Sequence, residues 1–203
     1  MQGARPFTAD EVRQIVKSFS GRYQERNRAL FLLGIGAGFR ISEMLALRIK
    51  DVSRNGKVFP IITVQRRNMK GKQRSRTVEL HPEVRAAINI WLEQMPKLFG
   101  EVSEDTPLFC SRVKNLDGTR RALARETCWR FLQAIYDENE LIGTLGTHAM
   151  RKTFASRMYN KLNGRLEKIQ EALGHANINS TIHYLSFKRE EITEAILSGQ
   201  LVA

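Results

Sequence analysis

Residues 29–35 read Ala-Leu-Phe-Leu-Leu-Gly-Ile, a run without one polar side chain. In a helix such a run is apolar on every side and has to be covered on most of them. That requirement constrains the whole chain, because the flanking segments must be amphipathic and wrap this one. Gly34, Gly36 and Gly38 occupy alternate positions at its end. They are expected to break the helix progressively and to let another backbone approach closely.

The flanking segments have that character. Thr8 and Glu11 form a capping-box pattern ahead of an apolar face of Val12, Ile15, Val16 and Phe19, which Gly21 ends. Residues 58–64 and 77–80 are β-like runs on either side of a basic polar stretch, so a small antiparallel sheet with a basic turn is expected. Pro82 opens a helix whose apolar face is Val84, Ala87, Ile88 and Trp91. Residues 96–105 read as a polar connection and 107–110 as a short extended piece. Residues 112–125 form a basic loop with a turn at Asp117-Gly118, either facing a polyanion or simply solvated. Residues 126–139 are helical, with Trp129, Leu132 and Ile135 as the expected core face. A last helical segment, 188–197, is apolar at Ile192, Ala195 and Ile196 and would dock on its own domain or on a neighbouring subunit. Mostly helix with one small antiparallel sheet, the chain reads as α+β.

A chain of 203 residues can bury a real core, and its 42% hydrophobic content fits a folded protein. The net charge of +12 and a pI near 10.2 point to a polyanionic partner, nucleic acid or anionic membrane. The basic residues are spread over hairpin, loop and helices instead of one amphipathic face, which favours nucleic acid over membrane. No apolar run approaches the roughly 18 residues that span a bilayer, and the N-terminus has no signal-peptide core. Cys110 and Cys128 lack metal-ligand spacing and read as reduced thiols of a cytoplasmic protein.

Chemistry concentrates in residues 147–185. His148 and Arg151 stand at i and i+3 of a helix and share one face, with Met150, Phe154 and Met158 on an adjoining stripe that can pack inward. Leu166, Ile169 and Leu173 mark a second helix, which Gly174 can stop as a left-handed cap, so that His175 emerges from a helix end. Asn179 or Ser180 can cap a third short helix carrying Ile182, Tyr184 and Leu185. Far upstream, Arg40 stands at a helix start just after the glycines, with Ser42 as cap or first-turn residue. Glu43 can reach back to hold Arg40. A guanidinium held by a carboxylate suits bidentate phosphate binding. Imidazoles, guanidiniums and a phenol on connected short elements suit a site that handles phosphate.

The order Gly-Phe-Arg40-Ile-Ser-Glu43, Lys70-Gly-Lys72-Gln-Arg-Ser-Arg-Thr-Val, Thr-His148-Ala-Met-Arg151 and Leu-Gly-His175 … His-Tyr184 resembles the catalytic domain of the tyrosine recombinases, the phage-integrase family. The resemblance runs over residues 8–197. It implies site-specific cleavage and rejoining of double-stranded DNA through a 3′-phosphotyrosyl intermediate, with neither metal nor other cofactor. In this reading Arg40 and Arg151 clamp the non-bridging oxygens and His175 donates to them. Tyr184 attacks, His148 is the general base, and Lys70 or Lys72 protonates the 5′ oxygen. Lys70 is preferred because it precedes the glycine of the turn. Arg66, Arg67, Lys72 and Arg74 in the hairpin, Arg120 and Arg121 in the later loop, and Lys152 are the basic residues expected to face DNA. Lys152 stands where many relatives have His, and His183 is expected to be a backbone-phosphate or surface residue.

The resemblance further implies a homotetramer on DNA, with residues 188–203 exchanged between subunits. The family's usual N-terminal helical domain has no counterpart before Thr8. Residues 1–203 are therefore expected to be a single catalytic domain with a flexible stretch over 1–7. Such a chain is either the catalytic part of a longer protein or a member of a short branch such as the fimbrial inversion recombinases. A bacterial or phage-encoded protein acting in the cytoplasm on nucleoid DNA is expected. Two other functions remain open: relaxation by a type IB topoisomerase, which uses the same phosphotyrosine chemistry, and non-catalytic regulation by a DNA-binding relative. Recombinant products distinguish the first, and a covalent adduct distinguishes the second.

Overall fold

The computed structural model describes residues 4–64, 75–185 and 197–198. Its elements run α1 (Ala9–Ser18), α2 (Gln24–Ala37), α3 (Ile41–Leu45), α4 (Ile49–Val52), β1 (Ser53–Arg54), β2 (Lys57–Val58), β3 (Ile61–Val64) and β4 (Arg76–Glu79). After these come α5 (Pro82–Phe99), β5 (Cys110–Lys114), β6 (Arg120–Ala122), α6 (Arg125–Glu138), α7 (Thr147–Lys161), α8 (Leu166–Leu173) and α9 (Ile178–Tyr184).

The apolar run lies in the middle of the molecule, as its composition demands. Ala29, Leu30, Phe31 and Leu33 of α2 are wholly buried, and α5 and α7 pack against the helix. The glycines act differently from expectation. α2 continues through Gly34 and Gly36 and ends only at Gly38, whose φ of 62° is left-handed. Gly34 stays helical because its missing side chain admits Met150 of α7: a Cβ there would stand 2.7 Å from the Met150 sulfur. Gly38 combines the left-handed turn with close packing under the Phe154 ring.

At the N-terminus the capping box is formed. Glu11 N–H donates to the Thr8 hydroxyl at 3.2 Å, and Thr8 N–H donates to the Glu11 carboxylate at 2.8 Å. Phe7 N–H donates to Thr153 Oγ1 at 2.8 Å, which ties the start of the chain to α7.

The described strands form three two-stranded antiparallel ladders, β1–β2, β3–β4 and β5–β6, in place of one sheet. In β3–β4, Ile62 and Val64 point inward while Thr63 and Thr77 pair hydroxyls outside at 3.0 Å. The basic stretch read as a loop is the β5–β6 hairpin, turning through Asp117-Gly118. One boundary and one buried face also differ. α5 runs past Pro96 to Phe99, because burial of Met95 and Phe99 outweighs the hydrogen bond that proline removes. On α6 the buried face is Cys128, Leu132, Ile135 and Tyr136, and Trp129 is 53% exposed. Leu132 and Ile135 are buried as expected, and Cys128 and Tyr136 take the place expected of Trp129.

A second, smaller apolar cluster joins Phe154 and Ala155 of α7, Ile169 and Leu173 of α8, and Leu185. It holds the three helices of the 147–185 segment together beside the main core.

Candidate active site

Among the described candidates, Arg40, Glu43, His148, His175 and Tyr184 stand at a helix end or in a first turn, and Arg151 lies one turn further along α7. Arg40 precedes α3, where its N–H donates to Glu43 Oε2 at 2.7 Å and its guanidinium donates to Glu43 Oε1 at 2.9 Å. Ser42 is an exposed first-turn residue. Glu43 is 1% exposed, and its other oxygen lies 3.8 Å from Arg151 Nη1, so one buried carboxylate serves two guanidiniums. Such a carboxylate fixes both arginines while leaving net positive charge.

His175 is placed by the backbone. Gly174 is left-handed at φ 59°, its N–H donates to Glu171 O at 2.8 Å, and His175 N–H donates to Gln170 O at 3.0 Å. This is the Schellman pattern, which ends α8 and directs the following residue. α9 is capped by the Asn177 side chain, which accepts from Asn179 N–H at 2.8 Å; the cap therefore lies earlier than Asn179 or Ser180. The chain turns sooner because Asn177 is already extended and its side chain reaches the first free amide.

Arg151 is buried at the centre. It donates to Gly38 O, to Leu173 O at 2.8 Å and to His175 Nε2 at 2.9 Å. A guanidinium only donates, so Nε2 accepts, and the His175 proton sits on Nδ1, which donates to Thr181 Oγ1 at 2.9 Å. The Arg151 guanidinium carbon also lies 5.5 Å from the Tyr184 ring centroid. Tyr184 Oη lies 3.3 Å from His148 Nδ1, and its ring is tilted against His175 with centroids 5.1 Å apart.

Burial and the charges of Arg151, Arg125, Arg40 and Lys152 hold the His148 imidazole below its ordinary range. It is therefore neutral at pH 7 and able to accept a proton at Nδ1. Burial and the neighbouring Arg40 push Arg151 down to about 10, against the pull of Glu43. The guanidinium stays protonated at neutral pH, with charge left over for an anion. The arrangement can hold a tetrahedral anion beside a phenol whose proton has an acceptor within reach.

Arg40, Glu43, His148, Arg151, His175 and Tyr184 thus converge. Lys70, Lys72, Arg66, Arg67 and Arg74 lie outside the described residues, as do the side chain of His183 and most of 188–203. Arg121 is exposed on β6 and Lys152 half-buried on α7. Arg120 is engaged within the fold: it donates to Phe99 O and lies over the Phe99 ring at 4.9 Å. Sequence reasoning passed over Thr181, whose pairing with His175 shows only once α9 folds back. It also passed over Arg76, which ends the basic stretch between the two β-like runs.

The phage integrase family model matches residues 5–191. Tyrosine recombinase XerC of Caldanaerobacter subterraneus subsp. tengcongensis is 25% identical over 195 residues, 96% of this chain and 50% of the relative. XerC of Escherichia coli O127:H6 is 31% identical over 161 residues, 78% of this chain and 48% of the relative. The chain thus spans about half the length of these recombinases. A crystal structure of XerH site-specific recombinase bound to palindromic difH substrate superposes with a TM-score of 0.72 at 29% identity, over 94% of this chain and 51% of that one. XerA recombinase shares the fold, with a TM-score of 0.73 at 21% identity over 96% of this chain and 65% of that one. With its fold, its converging residues and a family match over nearly its full length, the chain belongs to the phage integrase family.

Proposed function

We propose that this chain is the catalytic unit of a site-specific DNA recombinase, cleaving and rejoining double-stranded DNA through a 3′-phosphotyrosyl intermediate. The observation that carries the reading is the approach of Tyr184 Oη to His148 Nδ1 at 3.3 Å, beside a buried Arg151. Tyr184 Oη attacks the scissile phosphorus while its proton passes to His148. The bond to the 5′ oxygen breaks, and that oxygen takes a proton from Lys70. Arg40 and Arg151 bind the non-bridging oxygens, where charge accumulates in the transition state.

His175 joins them once its proton moves to Nε2. The Thr181 hydroxyl permits that change, because it can donate to Nδ1 as well as accept from it. No bond energy is lost to water, so a second strand's 5′ hydroxyl can reverse the step and exchange partners. Similarity to XerC, and to XerH bound to its difH substrate, supports a recombinase over a topoisomerase or a silent regulator. The partner is duplex DNA bearing a specific site. The assembly is a homotetramer on that DNA, with residues 188–203 linking neighbours.

Covalent trapping tests this. A pool of nicked duplexes randomised around the nick is incubated with the protein and denatured, and protein-linked DNA is sequenced. A 3′-linked adduct on a defined sequence, absent with Tyr184→Phe, is expected. Binding of DNA with no adduct at any sequence would point to a regulator. Relaxation of supercoils without recombinant product would point to a topoisomerase.

A further inference from the structure

Arg76 opens β4, yet its side chain is 5% exposed and leaves the strand for the helices. It donates to Ala37 O at 2.7 Å, to Gly38 O at 3.3 Å and to Ala172 O, and its guanidinium carbon lies 5.0 Å over the Phe39 ring. Those carbonyls end α2 and α8, where the helix dipoles concentrate negative charge. One guanidinium therefore caps two helices at once. The chain beyond the first cap leads within two residues to Arg40, and beyond the second within three residues to His175.

Arg151 rests on the same two helix ends. It shares the Gly38 oxygen with Arg76, and its other backbone acceptor, Leu173 O, adjoins Ala172. Nε of both arginines is buried without a hydrogen-bond partner among the described residues, so each guanidinium is oriented through its Nη groups. Of the two carbonyls that aim Arg151, Arg76 thus holds one directly, Gly38 O, and holds the carbonyl of the residue next to the other, Ala172 O. Burial and the charges of Arg151 and Arg40 push Arg76 down to about 9, with Glu43 opposing. A like charge is tolerated at this position for the geometry that it enforces.

We propose that Arg76 is a positioning residue for DNA cleavage: by bridging the C-terminal ends of α2 and α8, it sets the carbonyls that aim Arg151 at the scissile phosphate. The proposal rests on the DNA-cleavage reading above. A lysine cannot replace Arg76, because a single ammonium lacks the planar fork that reaches two helix ends.

The test compares two nicked suicide duplexes of the trapped sequence, one with the natural scissile phosphodiester and one with a methylphosphonate there. The methylphosphonate is uncharged, so its cleavage depends far less on Arg151. Arg76→Lys and Arg76→Gln are expected to slow adduct formation on the phosphodiester by about a hundredfold, the scale of a misplaced group. On the methylphosphonate they should lag by a much smaller factor, the pattern that Arg151→Ala also gives. Thermal melting tracks the fold, and Arg76→Lys, the milder change, carries the comparison if Arg76→Gln does not fold. Equal slowing on both substrates would reduce Arg76 to a structural cap, and wild-type rates for Arg76→Lys would reduce it to a bare charge. Either result overturns the proposal. No adduct from the wild-type protein on either duplex would overturn the cleavage reading itself, and this inference with it.

Discussion

Arg151 Nη2 lies 2.9 Å from His175 Nε2, the two groups meeting across 24 residues of chain. Two side chains proposed to bind the scissile phosphate thereby satisfy each other, and in that reading a phosphate oxygen replaces either partner. The hydroxyl of Thr181 on the far side of the ring can pair with either tautomer and so permits that exchange.

Thr181→Val removes the hydroxyl and keeps the volume. Adduct formation is expected to fall about tenfold, matching loss of one hydrogen bond of about 1.5 kcal/mol. Thr181→Ser should restore the rate. Single-turnover cleavage of the trapped site measures both.

In the proposed mechanism His148 acts in its neutral form, and burial and neighbouring arginines hold its pKa below the ordinary 6.5. The cleavage rate is therefore expected to rise with pH through a value under 6.5 and to be flat above it. His148→Asn should lose the acid limb and slow cleavage by at least about a hundredfold. Tyr184→Phe should abolish the adduct while DNA binding stays unchanged in a filter or gel assay.

Glu43→Gln takes the counter-charge from two arginines, one 1% exposed. Breaking a buried pair from one side costs about 3–5 kcal/mol. Urea unfolding should show that loss, and the cleavage rate should fall as Arg40 loses its tether.

Gly38→Ala forces a left-handed backbone on an L-residue and drives a methyl into the Phe154 ring. A destabilisation of more than about 2 kcal/mol is expected in urea unfolding. Because Gly38 O anchors both Arg151 and Arg76, cleavage by the folded fraction should fall as well.

DNA affinity should depend steeply on salt. A log–log slope near −5 would correspond to about six neutralised phosphates. Fluorescence anisotropy across salt concentrations measures it, and a flat response would exclude a phosphate-dominated interface.

Much of the site was legible in sequence because its parts are local devices. A glycine at a helix end places His175, a three-residue step aligns His148 with Arg151, and the same step lets Glu43 reach Arg40. Trp129 stands three residues before Leu132, on the edge of the buried face, where helical spacing alone does not decide between it and the neighbouring Cys128. The 112–125 hairpin was missed because its strands are basic and half exposed, which resembles a loop in composition.

The sequence by itself determined the central buried helix, the capping box that opens α1, the glycine that closes α8 and the types of reactive groups, since these depend on contacts within a few residues. Only the tertiary structure decided that Arg76 caps two helices, that Thr181 holds His175 and that Arg151 rests on Gly38 and Leu173. Those contacts join residues far apart in the chain through backbone carbonyls, which every residue carries alike. No side-chain pattern announces which carbonyl a buried guanidinium will find until packing brings the two helix ends together.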